Sequence, residues 1–62
     1  MRDEILEICA ETLRGQGHAA ATGAALFEDR TLAAAAVALL RDCRPMPVIV
    51  DLIAELDAVS TK

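Results

Sequence analysis

Large side chains are scarce in this sequence. Phe27 is the single aromatic residue, and the chain has neither tryptophan nor tyrosine. Although 55% of its 62 residues are hydrophobic, many of these are alanine, which buries little apolar surface. A chain of this length buries only about 60% of the surface that its unfolded state exposes. We therefore expect one small domain, residues 1–62, whose thin core is completed by self-association or by a partner.

Basic residues are also few. The chain has 6 Lys and Arg against 10 Asp and Glu, and its formal net charge is −4. Proteins that bind nucleic acids or anionic membranes depend on basic patches, and the sequence shows none. We therefore expect no nucleic acid as a partner.

Long hydrophobic runs are missing as well. The longest, residues 32–40, falls far short of the roughly 20 residues that a membrane-spanning helix needs. The opening Met-Arg-Asp-Glu is acidic, whereas a signal peptide starts with a basic stretch followed by an apolar run. We expect no membrane contact and a cytoplasmic protein.

Groups that bind metals or perform catalysis are sparse. The two cysteines, Cys9 and Cys43, form no CxxC pair, and His18 is the only histidine, whereas a zinc site needs several ligands at close spacing. We expect both cysteines to be buried core residues in a reducing compartment. The sequence thus predicts no metal site, no cofactor and no catalytic residue. A small enzyme with a cysteine nucleophile paired with His18 remains an alternative.

Three glycines lie in the segment GQGHAAATG, residues 15–23. Gly15, Gly17 and Ala20 match the loose GxGxxG/A dinucleotide fingerprint, which functions only where a strand leads into a helix. Here a helical pattern precedes the glycines, and the lysine of a phosphate-binding P-loop is missing after the last of them. We therefore interpret the segment as a helix stop and a flexible connection. Gly15 is expected to take the left-handed conformation that ends the helix, and His18 to be exposed or to cap a carbonyl.

The first predicted helix spans residues 3–14. Its apolar residues recur at helical spacing and share one broad face, with Cys9 near the middle. The opposite edge carries Glu4, Glu7 and Glu11. A carboxylate that acts as a general acid needs burial or a like charge held close. Because this edge faces water, we interpret it as a solvated surface.

The middle segment, residues 19–43, is rich in alanine and leucine and has a strong helix propensity. Four consecutive polar residues favour a break near 28–31, with Asp29 or Thr31 as the N-cap of the helix that follows. A continuous helix that is apolar on two sides stays open as the alternative.

The last predicted helix spans residues 47–59. Each proline of Pro45-Met46-Pro47 disfavours helical backbone in the residue before it, so the chain turns here. Pro47 suits the first position of a helix. The stretch 48–50 alone would fit a strand, but the apolar residues that follow keep the spacing of a helix.

Together these segments predict an all-α bundle of three helices, or four if the middle one breaks, completed by oligomerisation. A thin core, an acidic surface and few catalytic groups favour a non-enzymatic protein–protein interaction module. It would act as a homodimer, or as a small adaptor or regulatory subunit of a larger protein. The predicted interface is Phe27, Ala34 and Ala38, which share one side of a continuous middle helix. An alternative is a helix-turn-helix-like DNA-binding regulator, although its final helix would be acidic.

Overall fold

The computed structural model describes residues 2–62, whose regular secondary structure is entirely helical and includes no strand. The α-helices are α1 (Arg2–Gly15), α2 (Arg30–Arg41) and α3 (Pro47–Ser60), and a short 3-10 helix (Ala25–Phe27) precedes α2. This architecture confirms the predicted all-α class and the three-helix bundle. Residue 1 of the predicted domain lies outside the described residues.

The dimensions are those of an independent small domain. The radius of gyration is 10.2 Å, against about 10.6 Å expected for a folded chain of this length. The solvent-accessible surface is 3954 Å², close to the roughly 3,900 Å² expected for a monomer of 6.6 kDa. The single chain therefore has the compactness and the exposed surface of a folded chain of its size.

α1 ends in a hydrogen-bonded reversal of the backbone at Gly17. Gly15 is still helical, whereas Gly17 has a φ of 103°, a left-handed conformation. The His18 N–H donates to the carbonyl of Leu13 (2.9 Å) and the Gly17 N–H to that of Arg14 (3.2 Å), which together form a Schellman motif. The prediction that Gly15 takes the left-handed position is wrong by two residues, because helical backbone continues through Gly15.

The connection between α1 and the 3-10 helix is tied to α1. The guanidinium of Arg14 donates to the carbonyl of Ala21 at 2.6 Å, and Ala21 is fully buried. The Thr22 hydroxyl accepts the N–H of Ala25 at 3.0 Å and so supports the start of the 3-10 helix. This path brings Leu26 into the core, where it is fully buried.

The middle segment breaks before α2, as the polar stretch near 28–31 predicted. Asp29 has an extended backbone, and its carboxylate accepts the N–H groups of Thr31 (2.8 Å) and Leu32 (3.4 Å). These are the N–H groups that a helix cannot satisfy by itself in its first turn. Asp29, rather than Thr31, is therefore the N-cap.

The rest of the middle segment differs from the predicted helix over 19–43. α2 begins only at Arg30 and ends at Arg41, two residues before the predicted end. Between residues 19 and 29, only the 3-10 helix is helical. The alternative of one continuous helix is wrong, because the extended backbone of Asp29 starts a new helix.

α3 begins at Pro47, as predicted, and ends at Ser60, one residue past the predicted end. Met46 is extended, with φ −126° and ψ 154°, as expected of a residue that precedes proline. The spacing of the buried side chains confirms a helix rather than a strand. The buried residues of α3 are Ile49, Leu52 and Leu56.

The core is apolar and lies between α2 and its neighbours. Two small side chains of α2, Ala33 and Ala36, are fully buried, which allows the neighbouring helices to approach closely. Within residues 2–62 no polar or charged residue is buried. The largest fully buried side chains are Leu13, Leu26, Leu40, Leu52 and Leu56.

Candidate protein-interaction surface

The three residues predicted as an interface lie on two different elements. Ala34 and Ala38 are exposed on α2, but Phe27 belongs to the 3-10 helix and is half-buried. The Arg2 guanidinium lies over the Phe27 ring, 5.7 Å from its centroid, which is a cation–π distance. Because the chain breaks at Asp29, the single helix face that would carry Phe27 with the two alanines does not form. An interface at Ala34 and Ala38 stays a prediction.

The two cysteines differ in exposure. Cys9 is buried, with 6% of its surface exposed, as predicted. Cys43 is exposed, so its predicted burial is wrong. α2 ends two residues before Cys43, which removes Cys43 from the buried face of that helix. Its thiol donates a weak hydrogen bond to the carbonyl of Leu39, with 3.6 Å between sulfur and oxygen.

An apolar groove runs between α1 and the segment that joins α2 to α3. Its volume is about 190 Å³, and its walls are almost entirely apolar. We refer to it as the apolar groove. The residues that line it include Ile5, Ile8, Cys9, Cys43, Arg44 and Met46.

Large apolar side chains at this groove are exposed to water. Of the residues that line the groove, Ile8 is 62% exposed and Met46 is 41% exposed. Val50, in the first turn of α3, is 54% exposed but does not line the groove. Single exposed apolar residues are ordinary, but neighbouring ones around a groove mark a binding surface. Among the described residues, the apolar groove is therefore the surface best suited to an interaction.

The breadth of the apolar face of α1 explains why Ile8 lies outside the core. Leu6 and Cys9 occupy the buried centre of that face, and Ile8 lies about 100° around the helix from Cys9. This breadth is visible in the sequence. The position of Met46 and Cys43 beside α1 is not, because it depends on how the α2–α3 connection folds back.

Charged residues of both signs surround the groove. Glu4 lies four residues before Ile8 and Glu11 three residues after it, so all three share one face of α1, and all three are exposed. Arg44 lines the groove from the α2–α3 connection. The surface is thus acidic along this edge of α1, and among the described residues the one charged residue that lines the groove is the cation Arg44.

A larger, more open cleft lies on the other flank of α1, with a volume of about 430 Å³ and with Arg2, Glu7 and Phe27 among its lining residues. Arg2 also forms a two-point ion pair with Glu55 of α3, with 2.8 Å between Nη2 and Oε1. The hydrogen bond from Arg2 lowers the pKa of Glu55, and the same bond raises the pKa of Arg2. The charged groups here hold α1 to α3.

The arrangement does not favour a cysteine nucleophile. Burial raises the pKa of the Cys9 thiol, with a smaller contribution from Cys43, whereas a reactive cysteine has a lowered pKa. His18 is not among the residues that line the groove shared by the two cysteines. The acidic edge of α1 is exposed, as predicted, so its carboxylates are not sheltered from water.

The surface of α3 argues against DNA as a ligand. Its exposed residues include Asp51, Glu55 and Asp57, whose carboxylates would repel phosphates. Among residues 2–62, no helix combines the length and the apolar composition that crossing a membrane requires. In the same part of the chain, no three histidine, cysteine, aspartate or glutamate residues are grouped as metal ligands.

No known protein family, curated protein or solved structure matches this chain. The function is therefore inferred from the residues around the apolar groove.

Proposed function

We propose that this chain is a small non-enzymatic interaction module that forms a two-fold homodimer through the apolar groove. The observation that carries the proposal is the exposure of Ile8, 62%, at the edge of a groove with apolar walls. An isoleucine side chain gains free energy when it leaves water, and the groove offers it apolar contacts. The two free cysteines suit a reducing compartment, and we place the module in the cytoplasm.

The shape of the surface suits a second copy of the same chain. In a two-fold dimer, each copy presents the same patch to the other. A patch that carries both a projecting side chain and a groove can then pair with itself. Ile8 of each copy would enter the groove of its partner, and Met46 would be covered in the same step.

The charges around the patch are also self-complementary. Glu4 and Glu11 flank Ile8 on the exposed side of α1, and Arg44 lines the groove. Insertion of Ile8 into the partner groove would bring these carboxylates toward the partner's Arg44. Exposed ion pairs add little affinity, but they fix the relative orientation of the two copies.

The interface of such a dimer would cover a substantial part of the exposed surface of the chain. A stable interface removes about 800 Å² from each partner, which is about a fifth of the 3954 Å² surface of this chain. The groove alone is smaller than this, so the contact must extend beyond it, and the proposed interface also takes in Val50 of α3, which is 54% exposed. The exposed face of α2 at Ala34 and Ala38 offers less apolar area, because an alanine side chain buries little apolar surface.

Sedimentation over a wide range of concentrations tests this proposal with two matched substitutions. Ile8→Glu places a charge in the groove contact and is expected to abolish the dimer. Ala34→Glu places the same charge on the exposed face of α2 and is expected to leave the dimer intact. Circular dichroism should show that both variants remain helical, because both positions are exposed.

Two outcomes would contradict the groove dimer. If Ala34→Glu dissociates the dimer and Ile8→Glu does not, the interface lies on α2 at Ala34 and Ala38. If the wild-type chain is monomeric at every concentration, the homodimer is rejected, and a larger protein becomes the partner to seek.

A further inference from the structure

Three of the four sulfur-containing residues of this chain line the same groove. The chain has two cysteines and two methionines, and Cys9, Cys43 and Met46 all lie on the apolar groove of about 190 Å³. Cys9 is contributed by α1, whereas the other two belong to the α2–α3 connection. The fold therefore places Cys9 around the same groove as Cys43 and Met46, which lie more than thirty residues later in the sequence.

We propose that this sulfur cluster binds one soft monovalent metal ion, with Cu(I) as the natural ligand. Thiolate and thioether sulfur are the donors that select Cu(I). Cu(I) is stable with two or three such ligands, whereas a structural zinc site needs four. Among residues 2–62 no third His, Cys, Asp or Glu is grouped with the two cysteines as a metal ligand, which suits the lower coordination number.

The walls of the groove also suit a thiolate-bound monovalent ion. Two thiolates and one Cu(I) carry a net charge of −1, and the guanidinium of Arg44, which lines the groove, offsets it. Cys43 is exposed and Cys9 is buried, so Cys43 can receive the ion first and Cys9 can complete the site.

Binding would exchange protons and leave every oxidation state unchanged. Each cysteine loses its thiol proton to solvent as a sulfur–copper bond forms, and Met46 donates a lone pair without losing a proton. The Cys43 thiol also gives up its weak hydrogen bond to the carbonyl of Leu39.

The test is a titration of the reduced chain with Cu(I) in the absence of oxygen, against a colorimetric Cu(I) chelator of known affinity. One ion per chain should be withdrawn from the chelator, and an ultraviolet thiolate-to-copper absorption should appear. In the proposed dimer the partner's Ile8 would occupy this same groove, so the ion and a second copy would compete for it. The titration therefore uses protein concentrations at which the chain is monomeric, and its result does not depend on the dimer. Failure to bind Cu(I) would leave the dimer proposal standing, and failure to dimerise would leave the Cu(I) proposal standing.

Variants assign the ligands. Cys9→Ser and Cys43→Ser should each abolish the absorption, and Met46→Leu should weaken binding while the absorption persists. His18→Asn is the control and should bind as the wild type does. Because Cys9 is buried, Cys9→Ala is tested alongside, and circular dichroism confirms that each variant is helical.

Three results would overturn the assignment. Wild-type affinity in Cys43→Ser would show that the two thiols do not act together. Unchanged affinity in Met46→Leu would remove the thioether from the site. Zn(II) displacing Cu(I) at equal concentration would reject a site selective for a soft monovalent ion.

Discussion

Gly15 and Gly17 lie two residues apart but have opposite backbone requirements. Gly15 is the last residue of α1, and a Cβ atom added there would meet no atom within 4 Å. Gly17 has a φ of 103°, a region that side chains with a Cβ rarely adopt. The same substitution, glycine to alanine, should therefore change the free energy of unfolding in opposite directions at the two positions.

Gly15→Ala should stabilise the chain by about 0.5–1 kcal/mol, because alanine loses less backbone entropy in a helix. Gly17→Ala should destabilise it by at least ~1 kcal/mol, because the left-handed conformation brings Cβ against the backbone. Urea unfolding followed by circular dichroism measures both free energies. Destabilisation by Gly15→Ala with a neutral Gly17→Ala would show that the helix ends at Gly15, as the sequence pattern alone predicted.

Errors of this kind share one cause at the residue scale. Patterns of side chains locate the middle of a helix well, since Cys9 is buried at the centre of the apolar face of α1. They do not locate its last residue, which depends on competing hydrogen bonds around the end of the helix. The pattern extends the middle helix to residue 43, two residues too far, and so favours a buried Cys43. The end at Arg41 moves its side chain to the surface.

Among the elements, α2 depends most clearly on a single side chain at its start. The Asp29 carboxylate accepts two N–H groups of the first turn, so Asp29→Ala should destabilise the chain by about 1 kcal/mol. Asp29→Asn keeps an acceptor oxygen and should recover most of the loss. Thermal unfolding of the two variants and of the wild type measures the difference.

Thr31→Ala is the control for this cap, because Thr31 is exposed and was the other candidate in the sequence. It should change stability by less than Asp29→Ala does. A larger loss from Thr31→Ala would assign the cap to Thr31 and contradict the hydrogen bonds of Asp29.

Element lengths also explain why the middle segment could not be predicted in full. A continuous helix over 19–43 would be about 37 Å long, whereas the longest dimension of the molecule is 28 Å. Such a helix would project beyond the core formed with α1 and α3. The break lets the chain fold back, so that Ala21 and Leu26 are buried instead of exposed. Helix propensity favours the alanines on either side of the break equally, and only the tertiary structure distinguishes them.

At the scale of the whole molecule, the apolar groove is the feature that sequence patterns missed. The exposed edge of α1 at Ile8 follows from the helical pattern. The opposite wall does not, because Cys43 and Met46 reach α1 only through the packing of all three helices. Residues far apart in sequence therefore had to be placed by the structure before they could be considered as one site.

The Arg2–Glu55 pair joins the first turn of α1 to α3 and links stability to pH across the whole molecule. The hydrogen bond from Arg2 holds the pKa of Glu55 below its ordinary value of 4.5. The unfolded chain therefore binds a proton at this residue more readily than the folded chain does. The stabilisation is fully present above the unfolded pKa and is lost as pH falls through the lower, folded pKa. Because both side chains are well exposed, the effect should be small and should decrease with added salt.

Glu55→Gln removes the charge that this linkage requires. We expect the variant to be less stable than the wild type at neutral pH, and the two free energies of unfolding to converge as pH falls below the ordinary pKa of a glutamate. Urea unfolding at a series of pH values, at low and high salt, measures the difference. Glu28→Gln is the control, because Glu28 is exposed, forms no ion pair among residues 2–62 and lies outside the proposed dimer contact. A constant difference between wild type and Glu55→Gln at every pH would mean that the carboxylate contributes through packing, and that its charge does not hold α1 to α3.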